Sequence, residues 1–267
     1  MPKLPAASAA KFTTENVIAV RHWTPKLVSF RTSRARGFRF TPGHYTRIGL
    51  DAANGTVAWR PLSVVSAAYD AHLEFVVVLV PGGEFSDLLP GIRGGASMRV
   101  DRASYGFLTI DHFAPGEDLW LLATGTGLGP FLSILRDPAT WAAFRNVVVV
   151  HSVGHADELI YRGEIAAIPC EEPLMLAPGR LRYVPVVTRE SEAGTLNARI
   201  PRLIEDGRLE SAAGVHLDGR HSRIMVCGNP GMGRELRGQL TGRGFQVNRR
   251  GAPGQLAFEN YWQGTAS

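Results

Sequence analysis

Cysteine is scarce in this chain of 267 residues, and its near absence excludes several kinds of site. With only Cys170 and Cys227, neither a disulfide framework nor a four-cysteine metal or iron–sulfur site can form. The first residues, "MPKLPAASAAKF", lack an apolar core of signal-peptide length, and no run reaches about 18 apolar residues. We therefore expect a reduced, soluble, cytoplasmic protein that does not cross a membrane.

Runs of like charge are also missing. Lys and Arg total 29 against 24 Asp and Glu, a net charge of +5, but no Lys/Arg run with interleaved aromatic residues occurs. This pattern favours a mildly acidic partner over nucleic acid. The chain is long enough for two domains that each bury a core, and it contains neither an internal repeat nor a low-complexity segment.

The first part of the chain, from residue 12 to about 110, has the pattern of an antiparallel β-barrel. Short β-rich runs are separated by turn signals: "NVIAVRHW", "KLVSFRT", "HYTRIGL", "VAWRPLSVV", "LEFVVVLV" and "ASMRVDRA". One short helix is predicted in "EFSDLLPGI", with Ser86 as its N-cap and Asp87 in its first turn.

From about residue 117 the pattern changes to apolar strand, glycine turn and helix. Strands are predicted in "DLWLLATG", "NVVVVHSV", "RYVPVVTRE" and "RIMVCGNP", and the helices that follow them in "GPFLSILRD", "ADELIYRGEIAAI", "RIPRLIEDG" and "GRELRGQL". Apolar strands that alternate with helices predict a parallel sheet covered on both faces. With a linker at residues 111–118, the barrel domain would span residues 1–112 and an α/β nucleotide-binding domain residues 117–267.

A glycine-rich turn joins the first strand of this second domain to its helix. In "ATGTGLGPFLSIL" the glycines would let the backbone approach a ligand closely, and the helix would begin near Pro130. The turn does not match G-x-G-x-x-G, and tight packing alone is the alternative explanation. We interpret it as an indication of nucleotide binding.

Three further residues lie where strands of a parallel sheet end. Arg189 follows a strand and Arg199 begins the next helix, an arrangement that could clamp the 2′-phosphate of NADP, although two solvated arginines fit equally well. His151 ends "NVVVVHS" and is interpreted as a satisfied strand-end histidine and not as a catalytic base.

Arg60 and Pro61 stand at the mouth of the apolar, β-branched run "WRPLSVVSA". Proline cannot donate to a strand ladder, and a buried arginine needs a partner, so a purely structural strand has little use for either residue. Arg60 therefore indicates a bound anion.

Six motifs are spread over nearly the whole chain: "RPLS" at 60–63, "LEFVVVLVPGGEFS" at 73–86, "LLATGTGLGPFLSIL" at 121–135, "VVTRE" with "RIP", "CGNPGM" at 227–232 and "FENYW" at 258–262. In this order, and with a barrel before a parallel sheet, they make the chain resemble the ferredoxin/flavodoxin–NADP reductase family, in particular its bacterial branch. The resemblance implies FAD on the barrel and NADP(H) on the second domain.

The resemblance also assigns site residues. It implies FAD contacts by Arg60, Pro61, Leu62, Ser63, Val76, Glu84, Phe85, Ser86, Thr126, Tyr261 and Trp262. It implies NADP contacts by Thr124, Gly125, Gly127, Thr188, Arg189, Arg199, Cys227, Gly228, Asn229 and Met232. Ser63, Cys227 and Trp262 would lie at the reacting centre, where Ser63 is near the reactive flavin nitrogen, Cys227 is beside the nicotinamide and Trp262 is stacked on the flavin.

The chain departs from the family pattern in three places. Leu62 stands where the family usually has a tyrosine stacked on the flavin, and Gly154 with His155 stands where many relatives carry an arginine. Five residues, "QGTAS", follow Trp262, whereas the stacking aromatic residue is commonly at or very near the terminus.

The function implied by the resemblance is hydride exchange with NADP(H) on FAD and single-electron exchange with ferredoxin or flavodoxin, by a protein expected to be a monomer. Two alternatives remain at this point. One is an NAD(P)H-dependent reductase that serves an oxygenase or reduces free flavin. The other is a flavin-binding module that does not turn over.

Overall fold

The computed structural model describes residues 11–171, 174, 176–177 and 179–260, which form two sheets of different kinds. The first sheet has six antiparallel strands and the second has five parallel strands. The predicted two-domain architecture, an antiparallel β-barrel followed by an α/β domain, is confirmed.

The antiparallel sheet contains all six strands that the sequence predicts. Its strands are β1 (Phe12–His22), β2 (Leu27–Ser33), β3 (Tyr45–Asp51), β4 (Val57–Ser63), β5 (His72–Val78) and β6 (Ser97–Asp101). They are ordered β4-β3-β6-β1-β2-β5, and the sheet curls so that the two outer strands, β4 and β5, contact each other. One face of each strand packs into a barrel core that includes Phe30, Ile48, Leu73 and Phe75.

The helix in the barrel domain, α1 (Glu84–Leu88), begins differently from the prediction. Its N-cap is Gly83, and no side chain caps it. Ser86 is not the cap because its hydroxyl, inside the helix, accepts a hydrogen bond from the backbone N–H of Val80 at 3.0 Å. Serine hydroxyls bond to nearby backbone groups from other positions besides the N-cap, and that of Ser86 bonds to the loop before α1.

The parallel sheet has the order β11-β10-β7-β8-β9. Its strands are β7 (Asp118–Thr124), β8 (Asn146–Val153), β9 (Leu181–Val187), β10 (Ser222–Gly228) and β11 (Leu256–Asn260). Four of them were predicted; β11 was not. Strands β8 and β10 are almost wholly buried, because apolar clusters cover the sheet on both faces.

The helices of this domain lie between the strands. They are α2 (Gly129–Leu135), α3 (Pro138–Ala143), α4 (Arg162–Ala167), α5 (Ile200–Glu205), α6 (Arg208–Ala213) and α7 (Pro230–Gly242). The prediction lacked α3 and α6. With 13 residues, α7 is the longest described helix, and none in the described part of the chain has the length and apolar character to span a bilayer.

The segment between the domains is tied to the parallel sheet by a buried arginine. Arg223 of β10 donates from Nε to the carbonyl oxygen of Ala114 at 2.6 Å and from Nη1 to that of Ser222 at 2.7 Å. Its burial lowers its pKa from the ordinary value. The predicted division at residues 111–118 remains a prediction, although β7 does begin at Asp118.

Candidate functional site

The glycine-rich turn lies where β7 meets β10 at the carboxyl edge of the parallel sheet. Gly125–Leu128 forms a 3₁₀ turn, and α2 follows directly from Gly129. A Cβ on Gly127 would lie 2.4 Å from the carbonyl oxygen of Cys227, and one on Gly228 would lie 2.2 Å from Oγ1 of Thr124. Side chains at these two positions are sterically excluded, and glycine at both allows the turn and the end of β10 to approach this closely.

His151 of β8 contacts this turn through a hydrogen bond to its backbone. It is completely buried at the end of β8, with Nε2 3.1 Å from the carbonyl oxygen of Gly125 and Nδ1 3.3 Å from the hydroxyl of Tyr183. A carbonyl can only accept, so Nε2 carries the proton and Nδ1 accepts from Tyr183. The interpretation of His151 as a satisfied strand-end histidine is confirmed.

A cleft of about 510 Å³ opens beside the turn and is lined by both domains. Leu27 and Val78 come from barrel strands, and the other lining residues come from the parallel-sheet domain. Seven of the residues predicted to contact NADP line it: Thr124, Gly125, Thr188, Arg189, Arg199, Asn229 and Met232. The fold therefore brings together residues that are more than 100 positions apart in sequence.

The two arginines of this cleft differ in their partners. Arg189 is exposed, and its guanidinium makes no hydrogen bond or ion pair with any residue the structure describes. Arg199, the N-cap residue of α5, is paired with Glu235 of α7. A phosphate would find one guanidinium free and would have to compete with a carboxylate for the other.

One carboxylate, that of Glu158, also lines the cleft. Its Oε2 accepts from the backbone N–H groups of Gly154 at 2.9 Å and His155 at 3.0 Å. The Cβ position of Gly154 lies 3.1 Å from this oxygen and 3.4 Å from Cδ of Arg189, so the acid and the free arginine flank the same glycine. The cleft thus carries charge of both signs beside Gly154.

The loop at residues 188–199 is closed by its own hydrogen bonds. The hydroxyl of Thr188 donates to the carbonyl oxygen of Val153 at 2.9 Å. The amide of Asn197 donates to the carbonyl oxygens of Val187 at 2.9 Å and Glu190 at 2.7 Å. These bonds fix both ends of the loop that carries Arg189 and Arg199.

A second cleft, of about 400 Å³, shares part of this lining and includes one barrel residue, Val78. It is lined by Val78, Thr124, Gly125, Thr126, Gly127, Gly228 and Asn229. Asn229 shapes its edge, since its Oδ1 accepts from the N–H groups of Gly231 at 2.7 Å and Met232 at 3.3 Å, while its own N–H donates to Thr124. Cys227 is completely buried in the core and lines neither cleft. Its predicted contact with nicotinamide remains a prediction.

The barrel residues predicted to hold the flavin divide into exposed and buried groups. Arg60 and Pro61 are exposed, and in the described part of the chain the guanidinium of Arg60 has no hydrogen-bond or ion-pair partner. Ser63 is buried, and its Oγ makes no hydrogen bond to the described residues. A buried hydroxyl without a partner is rare in folded proteins, and a bound group would satisfy it.

Leu62 and Phe85, by contrast, belong to the barrel core cluster, and Leu62 is only 7% exposed. Glu84 is exposed at the start of α1, whereas Val76 lies near Gly129, whose Cβ position is 3.4 Å from Cγ1 of that valine. The predicted flavin contacts of these residues are untested. Tyr261 and Trp262 lie outside the described residues.

Comparison with known proteins identifies the family. The model of the oxidoreductase NAD-binding domain matches residues 121–237. Ferredoxin–NADP reductase A of Sorangium cellulosum (strain So ce56) is 37% identical over 256 residues, which are 95% of this chain and 91% of that protein. The flavodoxin/ferredoxin–NADP reductase of Shigella flexneri is 38% identical over 95% of this chain and 100% of that protein. The chain belongs to the ferredoxin/flavodoxin–NADP reductase family.

The likeness to this reductase family extends to the three-dimensional structure. A ferredoxin NADP⁺ reductase from Neisseria gonorrhoeae, crystallised with bound FAD and NADP, superposes with a TM-score of 0.88. It is 37% identical, and the match covers 95% of this chain and 100% of that one.

Sequence reasoning assigned no site role to eight of the residues that line the larger cleft, among them Leu27, Val78 and Glu158. Leu27 and Val78 sit in apolar strands and give no signal of a site, because their position depends on how the two domains pack. Glu158 carried a signal, since an acid that follows a strand end by a few residues can cap the exposed N–H groups there.

Proposed function

We propose that this chain is an FAD-dependent reductase that exchanges a hydride with NADP(H) and single electrons with ferredoxin or flavodoxin. The observation that carries the proposal is the pair of overlapping clefts at the domain boundary. Val78 of the barrel and Thr124 and Gly125 of the parallel sheet line both. A boundary of this kind can hold two cofactors against each other, and the N. gonorrhoeae relative of known structure contains FAD and NADP.

The barrel residues fit FAD. The unpaired guanidinium of Arg60 suits a pyrophosphate, and the partnerless Oγ of Ser63 can donate to a ring nitrogen. Bound FAD would supply the conversion between two-electron and one-electron transfer. The side chains of the protein bind and orient, and we assign no general acid or base to them.

The second domain fits NADP(H). The backbone of Gly125 and Gly127 can approach a pyrophosphate without obstruction by side chains. Arg189 would bind the 2′-phosphate directly, whereas Arg199 would do so by exchanging Glu235 for the phosphate. We therefore propose that Arg189 contributes more to NADPH binding than Arg199.

We propose that the electron partner is an acidic ferredoxin or flavodoxin, which the net charge of +5 would attract. The names of the S. cellulosum and S. flexneri relatives support this class of partner. A monomeric state and a cytoplasmic location remain proposals based on the sequence. Size-exclusion chromatography at several protein concentrations tests the first, and fractionation of cells tests the second.

Anaerobic reduction tests the function directly. NADPH should bleach the absorbance of the bound flavin, and oxidised flavodoxin added afterwards should restore it while becoming reduced itself. Extraction of the flavin and chromatography against FAD and FMN standards identify the cofactor. Failure of NADPH to bleach a protein fully loaded with FAD would refute the proposal.

One observation favours a second candidate, a reductase that also accepts NADH. Glu158 places a carboxylate in the cleft that holds the two arginines, and an acidic side chain near the adenosine ribose suits a free 2′-hydroxyl. Steady-state rates with both nucleotides separate the candidates. An NADH efficiency equal to or above that of NADPH would favour the second.

A further inference from the structure

Tyr161 has an unusual backbone conformation. It is the only residue other than glycine with positive φ in the described part of the chain, at φ 60° and ψ 9°, just before α4. The left-handed region is sterically costly for an aromatic residue, and such a conformation persists only where the surroundings enforce it. Helix capping does not explain it, since the side chain of Tyr161 does not cap α4.

The side chain of Tyr161 leaves its own domain and enters the wall of the barrel. Its hydroxyl donates to Oε1 of Glu74, in barrel strand β5, at 2.7 Å. Its ring lies 4.8 Å from that of Trp23, between β1 and β2. Both Tyr161 and Glu74 are at least 95% buried, and burial beside this carboxylate raises the pKa of the tyrosine.

Glu74 is held on its other side as well. Its Oε2 accepts from Nε of Arg31 at 2.9 Å, so both oxygens of the carboxylate have partners. A buried carboxylate with fixed partners is a rigid anchor, because moving any one of them would leave a charge unpaired in the interior. The left-handed turn at Tyr161 aims the hydroxyl at this anchor.

The anchor lies on the strand that forms the barrel side of both clefts. Glu74, Val76 and Val78 alternate along β5 and therefore share one face. Val76 faces Gly129 at the start of α2, and Val78 lines the clefts. Val78 lies four positions beyond Glu74 along the strand, a distance of about 13 Å. A tilt of one domain against the other at Glu74 would thus shift the cleft wall.

We propose that Tyr161 is a positioning residue: its hydrogen bond to Glu74 sets the orientation of the parallel-sheet domain against the barrel, and thereby the alignment of nicotinamide and flavin. The inference rests on the proposed function. It assigns no contact with either cofactor to Tyr161. Misplacement by about 1 Å can reduce the rate of a transfer step about 100-fold, so a single buried hydroxyl can have a kinetic effect at a distance.

The test uses Tyr161→Phe, which keeps the ring and removes one oxygen. In single-turnover reduction of the FAD-loaded protein by NADPH, the rate should fall at least tenfold, while the KM for NADPH stays within twofold. The kinetic isotope effect with 4-deuterated NADPH should change, and the charge-transfer absorbance on adding NADP⁺ should weaken. A purely structural role would alter neither the isotope effect nor this absorbance per bound flavin.

Two variants serve as comparisons. Glu74→Gln keeps an acceptor for the tyrosine hydroxyl, so it should retain the wild-type isotope effect and most of the rate. Glu164→Gln breaks the exposed ion pair between Arg21 and Glu164, which joins the same two domains at 2.6 Å. It should behave as wild type, because exposed pairs contribute little.

Calorimetry of the full chain with its flavin bound provides a readout that does not depend on activity. Wild type should unfold in a single transition, whereas Tyr161→Phe should separate into two as the domains uncouple. An unchanged isotope effect together with a single transition in Tyr161→Phe would overturn the inference. Failure of wild type to be reduced by NADPH would instead refute the proposed function, and the calorimetric test would still decide whether Tyr161 couples the domains.

Discussion

The buried histidine beneath the glycine turn should make the protein sensitive to mild acid. His151 is wholly inside the protein, and burial lowers its pKa from 6.5 to about 4, although the carbonyl of Gly125 favours the protonated form in part. Protonation would also remove the acceptor that Nδ1 offers to Tyr183. The native state therefore holds this imidazole neutral across a range in which the unfolded chain does not.

The difference between the pKa of His151 in the native state and in the unfolded chain determines the direction and size of the change in stability with pH. Above pH 6.5 the residue is neutral in both states and contributes no pH dependence. Between pH 6.5 and 4 the unfolded chain binds a proton that the native state excludes, so the free energy of unfolding falls as the pH falls. The loss amounts to about 2 kcal/mol at pH 5 and about 3 kcal/mol once the pH is below 4.

The assay compares wild type with His151→Gln. Glutamine can still donate to the carbonyl of Gly125 but does not titrate, while all other ionisable groups are common to both proteins. Free energies of unfolding from urea titrations of the apo-proteins at pH 7.5 and pH 5 give the two slopes. Wild type should lose about 2 kcal/mol more than the variant. Equal losses would show that the burial of His151 does not depress its pKa.

Three further predictions concern the site. Arg189→Ala should raise the KM for NADPH at least tenfold and leave NADH kinetics unchanged, with a smaller effect for Arg199→Ala; equal damage with both nucleotides would refute the phosphate assignment. Gly127→Ala should cost about 1–3 kcal/mol in urea unfolding because its Cβ would meet the carbonyl of Cys227, whereas Gly163→Ala, in helix α4 with nothing within 4 Å, should stabilise by about 0.5–1 kcal/mol. Reduction of flavodoxin should slow as salt screens the +5 charge, and rates independent of ionic strength would contradict an acidic partner.

Most of the fold can be predicted from the sequence, because apolar runs and turn residues determine where strands and turns form. The run of valines in β8 is typical of a parallel strand buried on both faces. The glycines that follow β7 are typical of a tight turn between a strand and a helix. Short helices are harder to recognise, and α3 and α6, with six residues each, escaped the pattern. The fifth parallel strand was missed because "LAFEN" is too short to show a period.

The candidate site could be predicted only where each residue carries its own signal. Arg189 and Arg199 could be predicted as candidate site residues because arginines at strand and helix ends are placed to bind anions. The bond between Tyr161 and Glu74 joins positions 87 residues apart, and nothing in either segment indicates the other. The ion pair between Arg199 and Glu235 could not be predicted either, since the two residues are 36 positions apart and become neighbours only in the folded protein.

The self-closing loop at residues 188–199 has a consequence for how nucleotide preference can evolve. Arg189 lies on a short, mostly exposed segment whose base is fixed by Thr188 and Asn197, whereas Arg199 follows this segment as the N-cap of α5. Residues 189–194 are exposed, and the first residue after them that bridges to β9 is Leu196. On the proposed contact of Arg189 with the 2′-phosphate, grafting this segment between relatives should change the preference between NADPH and NADH without rebuilding the core.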